Sequence, residues 1–267
     1  LVAGLRLATP NSGDNRGLMA HLTVPTPASA APVRSLVVSV VSHGHGSQVE
    51  HLLRLMARTS GAQISRVVLT QNLPETAPTP AQGSWPFVVD IRSNAAPQGF
   101  SANHNAALAG ASEDFVCILN PDVVWANEPM AALVRAADRP EVGLAYPVQT
   151  DGQGRRQDSE RELPTPWSLA LRYLVKRKES RAEWVNGAMW VLPRAVWHRV
   201  GGLDTRYFMY CEDVDLCLRV RLAGYTFARA GAVVEHPRHE REPGERLAGE
   251  LDPGAALGEL AAPVVAG

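Results

Sequence analysis

Between Ser35 and His236 the chain alternates short apolar runs with longer stretches whose apolar residues recur at helical spacing. The run from Leu36 to Val41 is almost wholly apolar, as expected of a strand covered on both faces. A glycine-containing loop follows, Ser42-His43-Gly44-His45-Gly46, and then Val49, Leu52, Leu53 and Met56 form one helical stripe. Ser47 and Glu50 have the spacing of a capping box opening that helix. A second strand from Ile64 to Leu69 makes the opening unit β-α-β, and such units build parallel sheets. Further strands are expected from Trp85 to Ile91, from Phe115 to Leu119, from Val142 to Val148 and from Tyr225 to Val234. Helices are expected after Asn105, after Glu128-Pro129, from Thr165 to Lys178 and from Arg194 to Val200, the last ended by Gly201-Gly202. The fold class is therefore α/β with a mostly parallel central sheet flanked by helices.

One stretch departs from pure packing logic. Tyr207-Phe208-Met209-Tyr210 delivers Glu212, Asp213 and Asp215 into the first turn of a helix carrying Val214, Cys217, Leu218 and Leu222, with Gly224 placed to stop it. Carboxylates offset the positive end of a helix dipole, but three beside aromatic residues exceed what capping needs. Spacing puts Glu212 and Asp215 on one face and Asp213 on another, and the cluster is a candidate for acid–base chemistry.

A length of 267 residues with 45% hydrophobic content suits one large domain or two small ones, with a full core. A formal net charge of -1 excludes the strong basic excess that phosphate-neutralising nucleic-acid binders carry. Cys117, Cys211 and Cys217 lack metal-ligand spacing, and an odd count fits reduced thiols in a cytosolic protein. No apolar run is long enough to cross a membrane. Residues 1–33, rich in Ala, Pro and Thr, are expected to be a loosely ordered leader, and residues 241–267 a tail, around a domain spanning 34–240. The helix from Thr165 to Lys178 combines Trp167 with Arg172, Lys176, Arg177 and Lys178, which suits either ordinary dipole partnering or a peripheral membrane contact.

Polar groups collect where the strands end. Besides the Ser42-His43 loop, Gln71-Asn72 ends the second strand, a Gly99 and Asn-rich stretch through Asn105 precedes a helix, and Asn120-Pro121-Asp122 follows the most apolar strand. In open α/β sheets this carboxyl edge is where ligands bind, and Asp122 sits where a hard cation with bound phosphates would lie.

Asn120-Pro121-Asp122, the Asn186-Gly187-Ala188-Met189-Trp190 stretch, Gly201-Gly202-Leu203-Asp204 and the acidic segment from Phe208 to Arg219 together resemble the family 2 glycosyltransferases. The likeness is to the branch with rhamnosyltransferases and galactofuranosyltransferases of bacterial surface polysaccharides. It implies a GT-A fold, a nucleotide-diphosphate-sugar donor, a glycan or polyprenyl-linked acceptor, Mg²⁺ or Mn²⁺, and inversion at the sugar carbon. Asp213 matches the family's general base and Glu212 its acidic neighbour. Asp122 matches the last acid of the metal motif, with Asn120 replacing the first, and His236 matches a histidine that completes the metal shell in some members. Donor contacts are implied for Ser42, His43, Gln71, Asn72, Gly99, Asn105 and Asn120, and acceptor contacts for Asn186, Gly187, Trp190 and Asp215. Gln71 replaces an acid that contacts the base in the family, and Ser42-His43-Gly44-His45 replaces a Thr-Tyr-Asn loop. Two other readings stay open on sequence alone: a nucleotidyltransferase, although the first loop lacks lysine, and a degenerate sugar-nucleotide-binding scaffold.

Overall fold

The computed structural model describes residues 34–161 and 183–237. The expected leader, the basic helix from Thr165 to Lys178 and the tail lie outside these residues. The described elements are β1 (Leu36–Ser42), α1 (Gly46–Thr59), β2 (Arg66–Gln71), β3 (Val88–Ser93), α2 (Phe100–Leu108), β4 (Phe115–Leu119), α3 (Met130–Ala137), β5 (Val142–Thr150), β6 (Glu160–Arg161), β7 (Trp184–Val185), β8 (Met189–Pro193), α4 (Arg194–Val200), α5 (Glu212–Leu222) and β9 (Thr226–Glu235).

Seven strands form one mixed sheet in the order β3-β2-β1-β4-β8-β5-β9, while β6 and β7 make a separate pair. Strands β1 to β4 are mutually parallel, β8 runs antiparallel between β4 and β5, and β9 is parallel to β5. The strand order turns back between β1 and β4. Ligands bind at that point in open α/β sheets.

Side chains alternate across the sheet, so each central strand feeds two cores. Leu36, Val38 and Val40 of β1, with Phe115, Cys117 and Leu119 of β4, pack with the stripes of α1 and α3. Val37, Val116 and Ile118 face the other way and join Leu108 of α2, Trp197 of α4 and Leu216 and Val220 of α5. Burial on both faces explains why β1 and β4 read as nearly unbroken apolar runs. At the edge, β9 alternates instead, burying Ala228, Ala230, Ala232 and Val234 and leaving Arg229, Gly231 and Val233 exposed.

Three local expectations are corrected. Helix α1 starts at Gly46 without a side-chain cap, and Glu50 reaches forward to Arg54 and Thr79 rather than back, so there is no capping box. Strand β2 starts later than its apolar run because Ile64 closes the preceding turn on Ser60. Strand β3 likewise starts after Trp85 and Phe87, whose rings stack at 6.2 Å before the ladder begins.

Candidate active site

Every parallel strand ends on one edge of the sheet, and the antiparallel β8 begins there. The turn before β8 is thereby brought beside the end of β4, and the Asn120 N–H donates to the Ala188 carbonyl at 2.9 Å. Val124 and Glu235 exchange backbone hydrogen bonds of 2.9 and 2.8 Å, which holds the end of β9 against the loop carrying Asp122. A cavity of about 410 Å³ opens at this edge. His43, Asn72, Asn120, Asp122, Asn186, Gly187, Glu212, Asp213 and His236 all line it.

The acids arrive on α5 through an unusual entry. Tyr210 and Cys211 both adopt left-handed backbone, φ 71° and 68°, which costs roughly 1–2 kcal/mol for each non-glycine residue. This bend brings Glu212 and Asp213 together at the cavity, whereas helical spacing alone grouped Glu212 with Asp215. Asp215 instead pairs with Arg219, whose guanidinium also donates to the Val200 and Gly202 carbonyls. Through Arg219, Asp215 is linked to the end of α4.

Burial sets the proton affinities of the two acids. Glu212 is 8% exposed, and its Oε2 meets no hydrogen-bond donor among the described residues. Removal from water pushes its carboxyl up from 4.5 to about 7, helped by the neighbouring charge of Asp213. Asp213 is also raised by burial, partly offset by the Val214 N–H, which donates to its Oδ1 at 2.8 Å. A carboxylate raised in this way is a better proton acceptor, as a general base must be.

Asp122, 8% exposed, lies 3.4 Å from the His236 ring through Oδ2 and Nε2. Carboxylate oxygen and imidazole nitrogen suit Mn²⁺ or Mg²⁺ chemically, the imidazole favouring Mn²⁺. Among the described residues no three His, Cys, Asp or Glu side chains converge on a common point. The donor set therefore fits a cation that shares its shell with phosphate oxygens and water, and does not fit a closed protein cage.

The remaining expected site residues stand behind the cavity wall. The Ser42 hydroxyl donates to Glu75 at 2.7 Å, and Glu75 also accepts the Gly44 N–H at 2.9 Å, bracing the first loop. Gln71 is consumed by the Glu75 and Thr76 carbonyls and by Ser93. Asn105 grips the backbone of Leu203 from both sides, at 2.6 and 2.9 Å. Gly99 allows close approach: a Cβ there would sit 2.6 Å from the Phe208 carbonyl oxygen, which accepts the Phe100 N–H. Trp190 is fully buried in the core beneath Gly187.

Several cavity residues escaped sequence reasoning. Gln98, Phe100, Met209 and Tyr210 line the wall, as does His104, whose burial pulls its ring down to about 3. His104 Nδ1 meets the Ser39 hydroxyl at 2.8 Å. The only signal for it was a polar residue on the inward stripe of α2. Glu75 offered no signal, since nothing in the proline-rich loop marks its single acid as turning inward.

No family model matches the chain. It is 28% identical to N-acetylglucosaminyl-diphospho-decaprenol L-rhamnosyltransferase of Mycobacterium tuberculosis, covering 80% of each chain. It is 22% identical to rhamnosyltransferase WbbL of Escherichia coli, covering 70% of this chain and 77% of that one. Among solved structures, it superposes on the mannosyltransferase PcManGT of Pyrobaculum calidifontis, determined with GDP-Man and Mn²⁺, with a TM-score of 0.55 at 17% identity. That match covers 81% of this chain and 62% of the mannosyltransferase, so the chain spans less than two thirds of that protein. TarS of S. aureus, in complex with UDP-GlcNAc, gives a TM-score of 0.52 at 14% identity, covering 78% and 60%. Over most of its length the chain is thus similar to two rhamnosyltransferases, and it shares its fold with solved nucleotide-sugar glycosyltransferases.

Proposed function

We propose that the chain is an inverting glycosyltransferase moving a rhamnose- or galactofuranose-like sugar from a nucleotide-diphosphate donor onto a glycan or lipid-linked acceptor. The observation that carries this reading is one cavity shared by the Glu212–Asp213 pair and the Asp122–His236 pair. Its size suits a small-molecule ligand. The decaprenol in the name of the mycobacterial relative supports a polyprenyl-linked acceptor reached from the membrane surface.

Asp213 takes the proton from the acceptor hydroxyl as that oxygen attacks the anomeric carbon. A new carbon–oxygen bond forms on one face while the bond to the diphosphate breaks on the other, and the diphosphate leaves with the electron pair. Configuration is inverted in this single displacement, and no covalent enzyme intermediate is involved. Asp122 and His236 are the residues that would hold a divalent cation, and such an ion supplies neutralising charge for the departing diphosphate. Glu212, buried beside the base, keeps a second negative charge away from Asp213 while it is protonated, and so leaves the base free to ionise.

The test is Asp213→Asn, which preserves shape but cannot accept a proton at neutral pH. Transfer of a labelled sugar should fall by ~10²–10⁴. Donor affinity, measured by calorimetry, should change little. Turnover above about a tenth of the wild-type rate would correspond to less than ~1.4 kcal/mol of barrier and remove Asp213 from the mechanism.

A further inference from the structure

A second cavity, of about 480 Å³, lies beside the Val124–Glu235 bridge and shares no lining residue with the first. One wall is α1, which contributes His51, Leu55 and Arg58 from a single face, since residues three and four apart are neighbours on a helix. The facing wall combines Trp125, from the loop after Asp122, with Val233 and Glu235 at the end of β9. The walls meet at one end, where the Trp125 indole N–H donates at 2.9 Å to the hydroxyl of Thr59, the residue after Arg58.

The charges of α1 are not alike. Arg54, one turn before Arg58, is engaged by Glu50 at 2.6 Å. The side chains of His51 and Arg58 make no hydrogen bond or ion pair among the described residues, and the Glu235 carboxylate makes none either. A cation in the last turn of a helix offsets the negative end of the dipole, which accounts for the charge of Arg58. It does not account for the unused guanidinium donors in a cavity, nor for His51 about two turns earlier on the same face.

The lining has the make-up of a small-molecule site, apolar with a few polar groups. Leu55 and Trp125 are nearly buried, at 4% and 6% exposed, while Val233 is 54% exposed. A guanidinium fork matches phosphate oxygens, and a carboxylate accepts hydroxyl protons while repelling a second anion. His51 and Arg58 are roughly 10 Å apart along the helix axis, at about 1.5 Å per residue, which is longer than a bare phosphate. We propose that this cavity is a second ligand site that takes a phosphorylated sugar, with Arg58 holding the phosphate and with Glu235 and His51 meeting the hydroxyls. Because the two cavities share no lining residue, the proposal stands apart from the sugar-nucleotide reading of the first.

Calorimetry on the full chain with glucose 1-phosphate as the probe tests this, with and without saturating uridine diphosphate and Mg²⁺ to fill the first cavity. One equivalent should bind under both conditions, and inorganic phosphate or glucose at least about tenfold more weakly. Arg58→Gln removes the charge-assisted contact and should weaken the probe at least about tenfold. Arg54→Gln makes the same charge change on the same helix and should leave affinity within about twofold. Both arginines lie on the exposed side of α1, and unchanged thermal melts would show that the variants fold. Absence of binding, loss of binding in the presence of uridine diphosphate, or equal weakening by the two substitutions would overturn the proposal. Binding to phosphatidylglycerol vesicles without binding to the soluble probe would also overturn it, and assign the cavity to a lipid headgroup.

Discussion

Replacing Glu212 with glutamine keeps the size of the side chain and removes its titration. The wild-type carboxyl is buried, its Oε2 meets no donor among the described residues, and its pKa rises from 4.5 to about 7 on folding. The folded state therefore binds this proton more tightly than the unfolded state does. Its stabilising contribution is complete below about pH 4.5 and is lost as pH rises through about 7. At ~1.4 kcal/mol for each unit of pKa, the full effect is about 3 kcal/mol. Urea unfolding of both proteins across this window measures it, because every other titrating group is common to the two and largely cancels in their difference. Glu212→Gln should gain on the wild type by about 2–3 kcal/mol between acid and mildly alkaline pH. Stability curves that stay parallel within ~0.5 kcal/mol would refute the argument and mean that Glu212 is solvated or partnered in solution.

Other expectations follow from packing and charge. Gly99→Ala would drive a methyl against the Phe208 carbonyl, so thermal unfolding should show a loss of ~1–3 kcal/mol as the aromatic loop is pushed off α2. Trp190→Ala should cost ~3–5 kcal/mol in denaturant unfolding, as befits a fully buried ring rather than an acceptor contact. Asp122→Asn should abolish the enhancement of nucleotide-diphosphate binding by Mn²⁺ in calorimetry, and an undiminished enhancement would place the cation elsewhere.

The apolar patterning by itself determined the α/β class, the parallel opening unit and most element positions, because burial on both faces of β1 and β4 leaves a mark that needs no knowledge of partners. It also marked the acidic turn as a candidate for acid–base chemistry, since the charge at Glu212, Asp213 and Asp215 exceeds what a helix start requires. Tertiary structure alone decided which of those acids face the cavity. Left-handed backbone at Tyr210 and Cys211 rotates Glu212 and Asp213 inward, and Arg219 claims Asp215, against the spacing argument. It decided too that β8 runs antiparallel through the middle of the sheet, which carries Asn186 and Gly187 to the edge where Asp122 and His236 lie. Gln71 and Asn105 looked like ligand groups and proved to be bonded to the protein itself. The physical reason is common to these cases. Hydrophobic periodicity is a property of each element alone, whereas the free edge of a polar side chain is whatever its neighbours from distant segments leave unbonded.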